Sequence, residues 1–488
     1  MRAFALGQAC AFVLVLAGTA AAQQSPSSKE IGPDDDPKRV ADASLRRELD
    51  ELRARQRWLE QRLSASEAHL AKPMLPPPPM LPPPPENGPP TFHWGRGGFV
   101  FGTPDGKTEL RVRATFNLDG HAYFGDVNPL PDTFLIRRAR PFIEGTLWNT
   151  IDFRLMPDFS QGTATILDAY VDLRPWHWLR LRGGRFMIPV GLEWMQKDTQ
   201  THFLERSLAT DLVPYRDLGL MLFGDFADGT FLYQLAFVNG APDSGNGPDS
   251  DTNSDKDYVG RIFIRPLRRI HRAAAITDLG FGVGASYGTA KGSASSPGLA
   301  TYKSTSLQPI FSYITATTVP AAATASTATI ADGNRWRVSP QLYWYIGPVG
   351  LLAEYVVSSQ RVSRNGSAAD LEHRAWNLTA SFVLTMERAS YDGIVPRHPF
   401  DFHHRGFGAF ELVVRYSELR FDDAAFPNFA DPAVAVHSAR ELAGGLNWHM
   451  TEYLKVMVSY HRTDFVGGAA TGDREPENAL MARLQLAL

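Results

Sequence analysis

The chain has 488 residues, a formal net charge of −3 and one cysteine. Near-neutral charge gives no reason to expect a nucleic-acid partner, and one cysteine excludes a disulfide scaffold and any Cys-based zinc or iron–sulfur site. A mean hydropathy of −0.21 excludes a bundle of transmembrane helices but not a transmembrane barrel, whose strands are only half apolar.

Residues 1–22 read as a secretory signal peptide. Arg2 supplies the positive start, Ala11 to Leu16 the apolar stretch, and Ala20-Ala21-Ala22 an A-x-A cleavage site. Cys10 lies inside it, so the mature chain would have no cysteine. Residues 23–39 are polar and predicted to be disordered. Within 40–71, Leu45, Leu49, Leu52, Gln56, Leu59, Leu63 and Leu70 fall at alternating four- and three-residue spacing. That a/d pattern predicts a coiled coil, hence an oligomer. A lone helix packed on a globular domain is the alternative. The narrow seam and the stiff segment that follows disfavour it. Residues 72–96 are a Pro-rich linker, and polyproline II over 72–90 would span on the order of 55 Å.

Residues 97–488 show no long helical periodicity. Stretches of about ten residues alternate apolar and polar instead. Leu110, Val112, Ala114, Phe116 and Leu118 alternate with Arg111, Arg113, Thr115, Asn117 and Asp119. The pattern recurs in Trp336-Val338-Leu342-Trp344, in Leu454-Val456-Val458-Tyr460, and in Leu480-Ala482-Leu484-Leu486-Leu488. A soluble β-sandwich would also alternate. About sixteen segments with charged polar rows, and a final alternating strand, favour an all-β transmembrane antiparallel barrel of about sixteen strands. Trp148, Trp176, Trp178, Tyr345 and Trp448 lie near strand ends, as interfacial girdles require.

Parity then assigns a lumen face. It carries a mild Arg excess, concentrated on early strands at Arg111/Arg113, Arg138/Arg140 and Arg180/Arg182. Arg154, Arg261, Arg335, Arg337 and Arg415 share that face. Alternate arginines on one strand stack about 7 Å apart and offer an anion successive bidentate sites. The plainer alternative is that each pairs with a neighbouring acid and hydrates the wall. Barrels of this size are constricted by an inward loop, and the stretch 187–217, carrying Lys197, Arg206 and Arg216, is the candidate. No inward row of aromatic residues suggests a sugar pore. Nothing calls for a cofactor, a metal or enzyme activity: GTPDGKT (102–108) is one residue short of a phosphate loop, and His403-His404 lack further ligands.

The runs FLIRRARPFIEGTLWNTIDFRLMPDF (134–159), LDAYVDL (167–173), LRGGRFMIPVGLE (181–193) and FLERS (203–207) together resemble the phosphate-selective porin O and P family. So do ASYDGIVPRHPFD (389–401), GAFELVVRYSEL (408–419), GGLNWHMTEYLKVMVSYHRT (444–463) and ENALMARLQLAL (477–488). The resemblance implies a sixteen-stranded outer-membrane barrel, a homotrimer and an anion-conducting Arg ladder. Arg137, Arg138 and Arg140 of the RRAR run would belong to that ladder, with Arg415 of RYSEL; Arg137 has the opposite parity to the other two. The chain departs from the family in its Lys-poor loops, only 9 of its 49 basic residues being Lys, and in ending on Leu488 rather than Phe. The expected function is passive diffusion of small anions, phosphate or polyphosphate among them, through the outer membrane. The alternative is a structural tether, in which the N-terminal extension reaches peptidoglycan from the periplasm and the barrel is an anchor in outer-membrane lipid.

Overall fold

The computed structural model describes residues 49–61, 88–95, 98–124, 131–247, 254–269, 278–315, 328–403 and 405–488. The signal-peptide and disordered segments, most of the coiled-coil segment, the linker as far as residue 87, and His404 lie outside the described residues. Residues 49–61 form a helix, α1, with Leu49, Leu52 and Leu59 exposed. It belongs to the first of two units, Met1–Pro82; the second is Pro83–Leu488.

The second unit is built from antiparallel strands. β1 (Thr91–Gly95) and β2 (Gly98–Gly102) form a hairpin. The wall follows as β3 (Glu109–Phe124), β4 (Thr133–Leu147), β5 (Ile151–Asp158), β6 (Thr165–Trp176), β7 (Leu179–Met187), β8 (Arg216–Phe226), β9 (Phe231–Val238), β10 (Asp257–Ile264) and β11 (Asp278–Lys291). A small separate hairpin, β12 (Thr301–Lys303) and β13 (Pro309–Ser312), interrupts it. The wall resumes with β14 (Ile330–Ile346), β15 (Val349–Arg364), β16 (Ser367–Val383), β17 (Ala409–Arg420), β18 (Val436–His449), β19 (Leu454–Gly467) and β20 (Glu477–Ala487). β20 pairs with β3 from Asn478↔Phe124 to Ala487↔Thr115, closing sixteen strands into a barrel. The rest of that β3 edge is taken by β2, from Phe99↔Val112 to Gly102↔Glu109. Closure gives every wall strand a partner on both sides, so the wall has no edge strand, which hydrocarbon would not tolerate.

Alternation sets the two faces. Phe116, Leu118, Leu480 and Leu484 point out and are exposed, while Asn117, Asp119, His121 and Arg483 point in and are buried. Tyr345 belongs with the inward set: it is fully buried, opposite the girdle position its place near a strand end suggested. It shares parity with Arg337, Gln341 and Tyr343, and parity decides the face. Trp176 and Trp178 do lie outside, stacked with ring centroids 5.2 Å apart. The turn at Asn365-Gly366 has both residues at positive φ, +50° and +79°, the geometry that lets a two-residue turn match strand twist.

Three-residue or shorter turns join β4 to β5, β6 to β7 and β14 to β15 at the end that holds the C-terminus, called here the terminal end. At the opposite end, loop 188–215, residues 239–247 and the β12–β13 hairpin fold into the barrel. Loop 188–215 contains a short helix, α2 (Leu192–Met195), and a 3-10 turn, Leu208–Leu212. Its Leu208 and Leu212 share an apolar core with Tyr302 and Phe311 of the hairpin and with Phe421 and Phe465. The lumen is thus partly filled by its own loops.

Candidate functional site

Loop 188–215 crosses the lumen because the far wall holds its backbone. Arg483 donates to Leu204 O at 2.7 Å, Arg415 to Glu205 O at 3.0 Å, and Lys455 to Thr201 O at 2.8 Å. Asn447 donates to His202 O at 2.9 Å, and Gln485 to Thr199 O at 2.9 Å. From the wall, Glu354 accepts from the N–H groups of Leu192 (2.7 Å) and Glu193 (3.1 Å) at the start of α2. Six wall side chains therefore fix a loop that has little secondary structure of its own.

The loop faces β4 across a cavity of about 490 Å³ on the side of the opposite end. Arg137, Arg138 and Arg140 line one wall; Arg206 and Arg216 line the other, with Lys303 of the β12–β13 hairpin. Their acidic company there is Asp198, Glu205 and Asp211. Arg137 grips Glu205 with two bonds, 2.7 and 2.9 Å. Arg140 bonds Asp158 at 2.6 Å and also meets Asp198. Arg206 donates to Asp198 at 2.6 Å, and Arg216 to Asp168 at 2.8 Å. Arg138 is the least satisfied: it is 4% exposed, its Nε is 3.7 Å from Asp198, and that Nε has no hydrogen-bond partner. The Trp194 ring lies under Arg206 at 4.7 Å and stacks on Tyr215 at 4.0 Å, stiffening the loop side.

Arg137 reaches this cavity through a bulge. β3 and β4 lose register between Asn117↔Arg138 and Leu118↔Ile136, leaving Arg137 as the extra residue. A bulge re-aims a side chain, so Arg137 and Arg138 both turn inward although they are adjacent.

Electrostatics on the loop follow from burial against charge. Burial alone would raise the Asp198 carboxyl, but Arg206, Arg138 and Arg140 outweigh it and hold it well below the usual range. Glu205 is likewise lowered, with Arg137 and Arg138 overcoming its burial. Asp211 goes the other way. Burial pushes it up to about 7, against hydrogen bonds from the Lys303 N–H and the Ser244 hydroxyl.

The other sequence-derived arginines are dispersed. Arg111 is half-exposed beside Glu109; Arg113 and Arg154 share Glu144 at 3.1 and 3.4 Å; Arg182 is bidentate to Asp172. Arg180 and Arg261 line a second cavity toward the terminal end. Arg335, Arg337 and Arg415 are buried tethers. Arg335 bonds Asp257 at 2.9 Å, Arg337 bonds Asp243 and the Ala241 carbonyl of loop 239–256, and Arg415 bonds Glu441. Lys197 is exposed and does not line the first cavity. Lys303 does, and sequence reading passed over it because a three-residue strand in a long loop carries no readable alternation. The inward face also holds single aromatic rings, Phe142, Tyr170, Phe223, Phe263 and Tyr343 among them, that the alternation did not single out. An inward ring resembles an outward one in sequence, and only register separates them.

A closed sixteen-stranded barrel with a polar lumen, narrowed by an inward loop under basic walls, defines an outer-membrane pore. The model of the family "Phosphate-selective porin O and P" matches residues 107–488, and the chain belongs to that family. No curated protein matches the sequence. Among solved structures, outer-membrane-expressed OmpT of Vibrio cholerae is similar at 9% identity and a TM-score of 0.48, over 78% of this chain and 98% of that one. The outer membrane channel DcaP of Acinetobacter baumannii is similar at 10% identity and 0.47, over 78% and 97%. Pseudomonas putida OprB gives 10% and 0.47, over 78% and 94%.

Proposed function

We infer that the protein lets small anions diffuse passively through an Arg-lined constriction. The observation that carries this is the cavity between β4 and loop 188–215, where six cationic side chains meet three carboxylates and Arg138 keeps an unused donor. Desolvated guanidiniums with spare N–H groups attract anions and repel cations, and several such sites in series allow release. Phosphate, with oxygens suited to bidentate pairing, is the inorganic anion this chemistry favours most.

The test is a planar bilayer under a salt gradient. A zero-current potential of the sign for chloride is expected, with phosphate in excess reducing the chloride current. A potential of the opposite sign would overturn the anion reading. Unaltered chloride current in phosphate would overturn the phosphate site alone.

The exposed leucines of α1 support a wider reading of residues 40–71 as a trimeric coiled coil that would agree with a trimeric barrel. On this reading residues 1–22 are removed on export, and the extension lies in the periplasm, within reach of peptidoglycan. The outward aromatic and aliphatic side chains meet outer-membrane lipid.

A further inference from the structure

Loop 188–215 separates two cavities, and the second differs in chemistry from the first. It has about 400 Å³ and faces the terminal end. Arg180 and Arg261 line it together with the rings of Phe223, Phe263, Tyr343 and Tyr391. Three of these rings form a continuous face: Phe263 and Tyr343 have centroids 5.3 Å apart, and Tyr343 and Tyr391 lie 5.1 Å apart and within 18° of parallel. Phe223 and Tyr391 are half-buried, so their surfaces remain available.

The charge here is poorly balanced. Arg261 is 8% exposed and lies 4.6 Å over the Phe263 ring. Its hydrogen bonds go to amide oxygens, Gln341 at 2.9 Å and Gln234 at 3.2 Å. Among the described residues no carboxylate lies within ion-pair distance of it; the acids of this cavity, Asp225, Asp278 and Asp392, belong to its terminal-end rim. Arg180 is only loosely paired, 3.8 Å from Asp225, and its guanidinium lies 5.9 Å over Phe223. A buried cation held by neutral dipoles favours an incoming anion. A bare inorganic anion would use the guanidiniums and leave the rings idle. An anion with a flat apolar body would use both.

We propose that this cavity is a second anion subsite, selective for aryl carboxylates and aryl phosphates, with the anionic head on Arg261 and Arg180 and the ring against Phe223 and Tyr391. The proposal rests on the anion-pore reading and extends its solutes to organic anions.

The full-length protein in a planar bilayer tests it, with chloride current measured while benzoate, acetate or cyclohexanecarboxylate is added. Benzoate is expected to reduce the current at a concentration about tenfold below acetate, the size of one ring contact, with cyclohexanecarboxylate between them. Phe223→Leu should move benzoate toward the acetate value, and Phe223→Tyr, which keeps the ring, should retain the advantage. Arg261→Gln should weaken block by every carboxylate. Equal block by benzoate and acetate in a pore that prefers anions would overturn the proposal alone, as would a benzoate advantage that survives Phe223→Leu. A zero-current potential showing cation preference would overturn the anion reading and the proposal with it.

Discussion

Arg137, Arg138 and Arg140 show how one backbone irregularity builds a site. Three guanidiniums within four residues cannot share a face of a regular strand; the bulge opposite Asn117 permits it. Arg138→Gln combined with Arg140→Gln is expected to lower the anion-to-cation permeability ratio by roughly three- to tenfold, read from zero-current potentials. An unchanged ratio would place both residues outside the ion path. Asp211 supplies a pH dependence. Its carboxyl, raised by burial to about 7, is neutral below that pH and negative above it. Anion preference should therefore fall as pH rises from about 6 to about 8, and Asp211→Asn should flatten that step. At this scale Arg138 and Arg140 were legible from parity. Arg137 was not, because a bulge is a property of the paired strand as well as its own.

Loop 188–215 is an element whose position is fixed almost entirely by others. Arg415 illustrates this: it is fully buried, bonded to Glu441 at 3.0 and 3.1 Å, and donates to the loop at Glu205 O. Arg415→Ala would take the guanidinium from Glu441 and remove one of the six wall contacts that hold the loop. A loss of about 3–5 kcal/mol is expected for such a buried pair, measured by thermal unfolding in detergent, with larger and noisier single-channel currents. A melting point and current level equal to the wild type would show that the loop is held without it. The sequence signals this loop by its length and its lack of alternation between β7 and β8. It does not reveal that Arg415 and Arg337 serve as tethers, because an inward Arg reads the same whether its partner is a passing anion or a folded loop. The β12–β13 hairpin escaped notice for a related reason: strands of three and four residues are too short for a period to appear.

The molecule as a whole joins a barrel to an N-terminal extension. Deleting residues 23–90 is expected to leave single-channel conductance unchanged, since the residues that line both cavities lie beyond it, and to reduce the fraction of trimer seen by sedimentation in detergent. Barrel architecture was the most legible property, because sixteen segments each repeat the same alternation and each supports the others. The seam between β3 and β20 carries a consequence of another kind, in time rather than space. β3 meets β2 within a few residues, yet it must wait for β20, and the buried Arg483–Asp119 pair that crosses the seam joins residues 364 positions apart. Loop-closure entropy makes the most distant contact the slowest to gain. During folding the lower β3 edge is covered early by its hairpin, while the upper edge stays open until the last eleven-residue strand arrives. The β1–β2 hairpin thereby covers the Glu109–Val112 edge of β3 and moves the open edge outward to β1, which pairs with β2 alone, before the pore exists.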